Sequence, residues 1–552
     1  MTETVRSAEH GSTIPGLVKA AAEQFGAHEA LVDGDVRMTF AALHDAVRDV
    51  ARALIATGVR RGDRVCVWSP NTHHWVVAAL AAHSAGAALV PLNTRYTGAE
   101  AIDILGRSRV RVLFLPDTFL GRDYLASLRE AEATGAGGEP AEAGGGIPVP
   151  ALPDLELVVR IPVEHERPSE PGVVAWSELV ERAASTTAQE ADARAAEVLP
   201  DDVADILFTS GTTGRPKGAM SSHRQAVEAA VAWAEPTEVS PADRYMIIAP
   251  FFHSFGYKAG LLVGLLRGAT IVPQITFDVD AALDAIERER ITILPGPPTI
   301  FETLLAHPGR AGRDLSSLRL AVAGSAMVPV ALVERMRREL TFQTVLTGYG
   351  LTEAVVVTMC RADDDPQTVS GSSGCATAGF ELRIAGADGS ALPPGEQGEI
   401  WFRGPNVMLG YLDDERATRE AIDADGWFHS GDVGRLDVRG YLTITDRIKD
   451  MLTVGGFNVY PAEVENVLAR LDGVIAAAVI GVPDERMGEV PAAYLVAQED
   501  HALDEGAVVA FCRRQLANFK VPRTVTFVEA LPRNAAGKVL KSELRAQLAG
   551  TE

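Results

Sequence analysis

Short runs of apolar and β-branched residues alternate with stretches of helical periodicity along most of this chain, and that alternation limits the fold more than any other feature. "RVCVWSP" precedes the helical "THHWVVAALAAHSAG", which runs into the strand-like "AALVPL". "ITILPGPP" and "LRLAVAGSA" repeat the strand-to-turn step, and in "VPVALVERMRREL" the residues Val333, Met336 and Leu340 share one helical face. Such units predict an α/β fold of mostly parallel sheets flanked by helices, because parallel strands need crossover connections that helices supply. Ligands of such sheets gather in loops at the carboxyl ends of the strands. The Gly-rich stretches of this sequence fall at those positions.

At 552 residues the chain exceeds one ordinary domain. A charged run meets a Gly-Gly turn and an amphipathic helix in "TDRIKDMLTVGGFNVYPAEVENVLARL", where Val464, Val467, Leu468 and Leu471 recur at helical spacing. The expected organisation is a large domain over 1–445, a hinge at 446–450 and a small α/β domain over 451–552. "TGAGGEPAEAGGG" at 134–146 reads as a surface insertion. The balance of 51 Lys and Arg against 74 Asp and Glu, a net charge of −23, argues against nucleic acid and anionic membranes as partners. Four scattered cysteines without metal spacing predict reduced thiols and a cytoplasmic protein. No secretory pattern is visible in "MTETVRSAEHGST". The longest apolar stretch, "WVVAALAAHSAGAALVPL", reads as a buried helix running into a strand, with no membrane span.

"TSGTTGRPKG", Thr209 to Gly218, follows the apolar "ADILF" and concentrates glycine, hydroxyls and two cations. It is not a Walker A loop, because the order is Gly211, Gly214, Lys217, Gly218 with Pro216 before the lysine. No helix is expected to start within it. What remains is exposed backbone N–H groups, hydroxyl donors and a lysine, a combination that suits a phosphate nest. Alone, the loop reads equally as a glycine-rich surface turn.

Four further stretches follow it in order: "YGLTE" (349–353), "SGD" (430–432), "DRIKD" (446–450) and "PRNAAGKVLK" (532–541). Together with the loop they resemble the adenylate-forming superfamily of acyl-CoA synthetases, luciferases and peptide-synthetase adenylation domains, and "PLNTRYTGAEA" also resembles a family segment. The resemblance implies ATP, Mg²⁺ and coenzyme A, and a carboxylic acid joined to AMP and then to a thiol. It implies that Thr209, Ser210, Gly211, Thr212, Thr213 and Gly214 cradle the β- and γ-phosphates with Lys217 nearby. Tyr349 would stack on adenine, with Gly324, Ser325 and Ala326 along the edge of the base. Thr352 would reach the α-phosphate, Glu353 would hold the metal, Asp432 would accept from the ribose hydroxyls and Arg447 would brace the ribose. Lys538 would be the catalytic lysine, with Lys541 and Arg533 as exposed basic alternatives, and Lys449 would mark the hinge. Gly455 and Gly456 would border the channel for the pantetheine arm. Dimers are common in the family, so a homodimer is compatible with the resemblance.

"PFFHSFGYKAG", Pro250 to Gly260, matches the family's acyl-site segment, where His253 resembles the aromatic residue that gates carboxylate access. A core histidine in an apolar run is the alternative reading of His253. Gly256, Pro297, Gly324, Gly348 and Leu351 are further wall candidates. Lys258 is read as beginning a helix at the surface; facing inward, it would pair with a second polar group, such as a keto oxygen on a bulky acid. The segment lacks the early aspartate of amino-acid adenylation domains. With "PGPPTIFETLL", it resembles the CoA ligases of steroid breakdown that accept an indanedione propanoate. Medium- or long-chain fatty acids and aryl acids are the alternative substrates. A nucleotide-binding regulatory protein without catalysis is the alternative of another class.

Overall fold

The structure is a computed structural model. It describes residues 12–133, 149–164, 169–209, 215–324, 328–386, 388–447, 452–459, 461–498, 503–532, 539, 541 and 543–545. The chain divides into two compact units: Met1–Thr94, Ile102–Leu207 and Gly218–Thr445 form one, and Arg95–Ala101, Phe208–Lys217 and Asp446–Glu552 form the other.

In the larger unit the expected alternation becomes two sheets. A nine-stranded sheet has the order Cys375–Ala376, Ala354–Met359, Thr344–Leu351, Leu320–Ala323, Ile293–Gly296, Arg244–Ile247, Thr270–Pro273, Glu29–Asp33, Val36–Thr39. From Thr344–Leu351 through to Glu29–Asp33 neighbouring strands run parallel. The strands flanking this stretch are antiparallel. An eight-stranded sheet has the order Gly410–Tyr411, Lys217–Ser222, Val203–Thr209, Ala88–Pro91, Arg64–Val67, Val112–Pro116, Leu157–Ile161, Val173–Ala175. Central strands such as Ala88–Pro91 and Val112–Pro116 are buried along their whole length, as strands covered on both faces must be. A third, antiparallel sheet of four strands includes Gly398–Arg403 and Phe428–Leu436.

The Ala-rich stretch is the helix His73–Ser84, buried from Trp75 onward on every side, followed by the strand Ala88–Pro91. Thr72 starts it by accepting from the Trp75 N–H at 3.2 Å. A helix without a polar face belongs inside a large domain. Around it lie buried polar groups: His83 Nε2 is 2.7 Å from the Tyr257 hydroxyl, and the His83 and His223 rings are 5.3 Å apart. Val330–Glu339 is the helix expected after "LAVAGSA", with Val333 and Met336 buried. Among the described residues no helix is long and apolar enough to cross a membrane. Cys66, Cys360 and Cys512 are buried and Cys375 is half-buried, all four as free thiols. Burial raises the Cys66, Cys360 and Cys512 thiols above their ordinary values.

In the smaller unit, the hairpin Leu452–Val454 and Phe457–Val459 joins the long pair Val474–Asp484 and Gly488–Ala497, and Thr524–Phe527 lies parallel beside the latter. The helix Pro461–Leu468 buries Val464, Val467 and Leu468, as its spacing predicts. The low-complexity stretch 134–146 lies outside the described residues.

Candidate active site

The carboxyl ends of the parallel strands collect most of the described candidates. Gly324 follows Leu320–Ala323, and its N–H donates to the Gly296 carbonyl at 3.2 Å. Pro297 follows Ile293–Gly296 and precedes the helix Pro298–Ala306. Gly348, Tyr349 and Leu351 end the strand Thr344–Leu351, and the half-buried Thr352 and Glu353 form the turn into Ala354–Met359. These seven residues share one edge of one sheet, where such folds bind ligands.

Two carboxylates are fixed there by phenols. The Tyr349 hydroxyl donates to Asp432 Oδ2 at 2.6 Å, and both residues are buried. Asp432 stands in the strand Phe428–Leu436, where its own N–H donates to Ser430 Oγ at 3.0 Å. The Gly431 N–H donates to Glu399 Oε1 at 3.0 Å, so the "SGD" turn is held on both sides. The Tyr411 hydroxyl donates to Glu353 Oε1 at 2.8 Å. The backbone around Tyr411 is a bracket: Met408 N–H donates to the Glu353 carbonyl, Leu409 N–H to Met220 and Leu412 N–H to Gly218, each at 2.8 Å. The strand Lys217–Ser222 is thereby tied to the turn that bears Glu353. Tyr411 was not singled out by the sequence, although "MLGYL" sets a glycine and a phenol among apolar residues.

The Pro250–Gly260 segment is pinned from below by Asn71, another residue the motifs do not mark. Its buried amide donates to the Ala249 carbonyl at 3.0 Å and to Ile247 at 3.3 Å, and its oxygen accepts from the Phe251 N–H at 2.7 Å. His253 then starts a short helix, its Nδ1 accepting from the Phe255 N–H at 3.2 Å. Its ring is exposed, so it is not a core histidine, yet desolvation by the surrounding protein lowers its pKa to about 4. With that pKa the ring stays neutral at pH 7. Gly256 is obligatory, because a Cβ there would stand 2.3 Å from the Pro250 carbonyl oxygen and 2.4 Å from that of Ala249.

Lys258 corrects the surface reading. It is 1% exposed within a π-helical turn, Tyr257–Leu262, with Nζ 2.9 Å from Asp205 Oδ1 and donating to Ser221 Oγ at 2.8 Å. An ammonium this deep needs a counter-charge, and Asp205 in the preceding apolar "ADILF" supplies it.

At the glycine-rich sequence a strand, Lys217–Ser222, begins where no helix was expected, and Thr209 Oγ1 lies 3.5 Å from the Lys217 carbonyl. Gly455 and Gly456 form the two-residue turn of their hairpin with φ of +56° and +82°, the left-handed geometry that glycine adopts without strain. Arg447 ends the strand Leu442–Arg447. Ser210, Gly211, Thr212, Thr213, Gly214, Ser325, Ala326, Lys449, Arg533 and Lys538 lie outside the described residues, as does the side chain of Arg447.

Residues 18–412 match the AMP-binding enzyme family, and residues 463–538 match the AMP-binding enzyme C-terminal domain. A 7a-methyl-1,5-dioxo-octahydro-indenyl-propanoyl:CoA ligase of Rhodococcus jostii is 58% identical over 537 residues, 97% of this chain and 99% of that protein. The protein of that name from Mycobacterium tuberculosis is 55% identical over 97% of this chain and 98% of its own length. Among solved structures, an o-succinylbenzoate CoA synthetase of Bacillus subtilis bound with a product analogue superposes with a TM-score of 0.79 at 29% identity, covering 96% of this chain and 98% of that one. The chain belongs to the AMP-binding enzyme family, in its acyl-CoA synthetase branch.

Proposed function

We propose that this acyl-CoA synthetase activates a bulky fused-ring propanoic acid of steroid origin. The observation that carries the substrate class is the identity of 58% and 55%, across nearly the whole chain, to ligases named for such an acid. In the first step a carboxylate oxygen attacks the α-phosphorus of ATP and pyrophosphate leaves, giving an acyl-adenylate. In the second the CoA thiol attacks the acyl carbonyl, the thiol proton is lost and AMP leaves.

Asp432, held by Tyr349 at 2.6 Å, is suited to accept from the ribose hydroxyls. Neutral His253 is suited to meet the acid where it enters, since an uncharged ring does not trap a carboxylate as an ion pair. Among the described residues no group of three or more His, Cys, Asp or Glu could hold a metal ion unaided. Glu353, a carboxylate fixed by Tyr411, fits the other arrangement, in which Mg²⁺ is held by one carboxylate together with substrate phosphates. When bound there, the ion would neutralise charge on the phosphate oxygens. Lys538 is proposed to meet the charge that develops as the carboxylate attacks.

A panel of acids tests the substrate. The indanedione propanoate, octanoate and ferulate are compared by CoA-dependent AMP release and thioester formation. The fused-ring acid is expected to exceed the others in kcat/KM by at least about 10²-fold, the scale on which a shaped pocket discriminates. Faster turnover of octanoate or ferulate overturns the assignment, and ATP binding without AMP or pyrophosphate release favours a regulatory protein.

A further inference from the structure

Three buried polar groups meet where three functional segments converge. Asp205 is 0% exposed on the strand Val203–Thr209, which leads into the glycine-rich sequence. Ser221 is 3% exposed on the strand Lys217–Ser222, which leads out of it and lies beside the first in the sheet. Lys258 belongs to the π-helical turn that continues the His253–Gly256 segment. Its ammonium reaches both strands, 2.9 Å to Asp205 Oδ1 and 2.8 Å to Ser221 Oγ. Asp205 Oδ2 has no hydrogen-bond partner among the described residues, so Lys258 is the neutralising group for an otherwise bare carboxylate.

Cohesion alone does not call for this arrangement, because apolar side chains of similar volume pack a core as well as a buried ion pair does. What a charge-assisted hydrogen bond adds is a narrow distance and a direction. An apolar contact would let the π-helical turn slide over the two strands, whereas a shared ammonium fixes its height above both. π-Helical turns also recur at functional sites, and Lys258 stands in one.

We propose that Lys258 is a positioning residue for adenylation: with Asp205 and Ser221 it fixes the acid-binding segment Pro250–Gly256 against the two strands that flank the glycine-rich sequence. This rests on the acyl-CoA synthetase reading. The distance between the acid's carboxylate and the α-phosphorus is set through this link, and an error of about 1 Å in such an alignment costs about 10²-fold in rate. The second step, in which the acid is already joined to AMP, does not depend on it.

The test compares the wild type with Lys258→Met, Asp205→Leu, the double variant and Ser221→Ala. Each is assayed for thermal midpoint, pyrophosphate release and thioester formation from a supplied acyl-adenylate. Either single charge removal is expected to lower the midpoint by stranding its partner. The double variant is expected to regain the midpoint while adenylating about 10²-fold more slowly at saturating acid and ATP, with thioester formation from the adenylate within about 3-fold of wild type. Recovery of both midpoint and adenylation in the double variant overturns the proposal and leaves a purely structural ion pair. Ser221→Ala keeps both charges and guards against a double variant that does not fold. It is expected to slow adenylation several-fold with a smaller loss of midpoint than either charge removal, and an unchanged rate also overturns the proposal. A wild type that forms no thioester from any acid in the panel defeats the function reading itself, a result distinct from any difference among the variants.

Discussion

A carboxylate proposed to share a cation with phosphate oxygens has to be held in one rotamer, and Glu353 is held by the Tyr411 hydroxyl at 2.8 Å. Tyr411→Phe removes that hydroxyl alone and leaves the bracket of backbone hydrogen bonds around it. The variant is expected to adenylate about 10-fold more slowly, the scale of one hydrogen bond to a charged group, and to bind Mn²⁺ more weakly with ATP in a spin-resonance titration. Unchanged Mn²⁺ affinity would remove Tyr411 from the proposed metal site. Asp432, Tyr349 and Glu353 were marked as candidates in the sequence because short motifs carry them. Tyr411 and Asn71 were not, because their work is done through the fold: one reaches a turn fifty-eight positions away and the other a segment 180 positions away. No local spacing records such contacts.

Among the elements, strands and helices of the parallel sheets follow from periodicity and from the lengths of the apolar runs. The π-helical turn does not, because its spacing is neither that of a strand nor that of an α-helix, so Lys258 reads as a surface cation when it is a core one. The neighbouring Gly256 shows how closely this element is fitted. Gly256→Ala brings a methyl to within 2.3 Å of the Pro250 carbonyl, and backbone cannot step aside as a flexible side chain can. The expected result is a destabilisation of about 1–3 kcal/mol and a roughly tenfold rise in KM for the acid with KM for ATP unchanged. Equal increases in both would show that the segment does not serve the acid specifically.

Over the whole molecule, buried imidazoles contribute to the response to acid. Burial lowers His223 to about 4, lowers His74 to about 3 with help from the His73 charge, and pulls His83 well below its ordinary value. Each binds its proton more readily in the unfolded chain, so stability is full above pH 6.5 and declines as pH falls from about 6.5 towards 4. For His223 the decline amounts to about 3 kcal/mol across that window, at roughly 1.4 kcal/mol per pH unit. Thermal midpoints are expected to drop between pH 7 and pH 5, and less so in His223→Asn, whose amide oxygen can still accept from the Ile14 N–H. Parallel curves for the two proteins would exclude His223 from the effect.

The proposed division of labour between the steps also belongs to the scale of the whole chain. Lys538→Ala is expected to slow adenylation by about 10²–10³-fold, the scale of losing one transition-state donor, while sparing thioester formation from a supplied acyl-adenylate. Equal loss in both steps would remove Lys538 from the first.

The thiol inventory has a practical use. Of the four cysteines, three are buried and Cys375 alone is partly accessible. A maleimide dye under native conditions should therefore react at one position of the larger unit. One cysteine introduced on an exposed residue of the smaller unit, such as Ala469, then completes a donor–acceptor pair. Energy transfer between the dyes, followed in real time as acid, ATP and CoA are added in turn, would test whether the distance between the two positions changes during turnover.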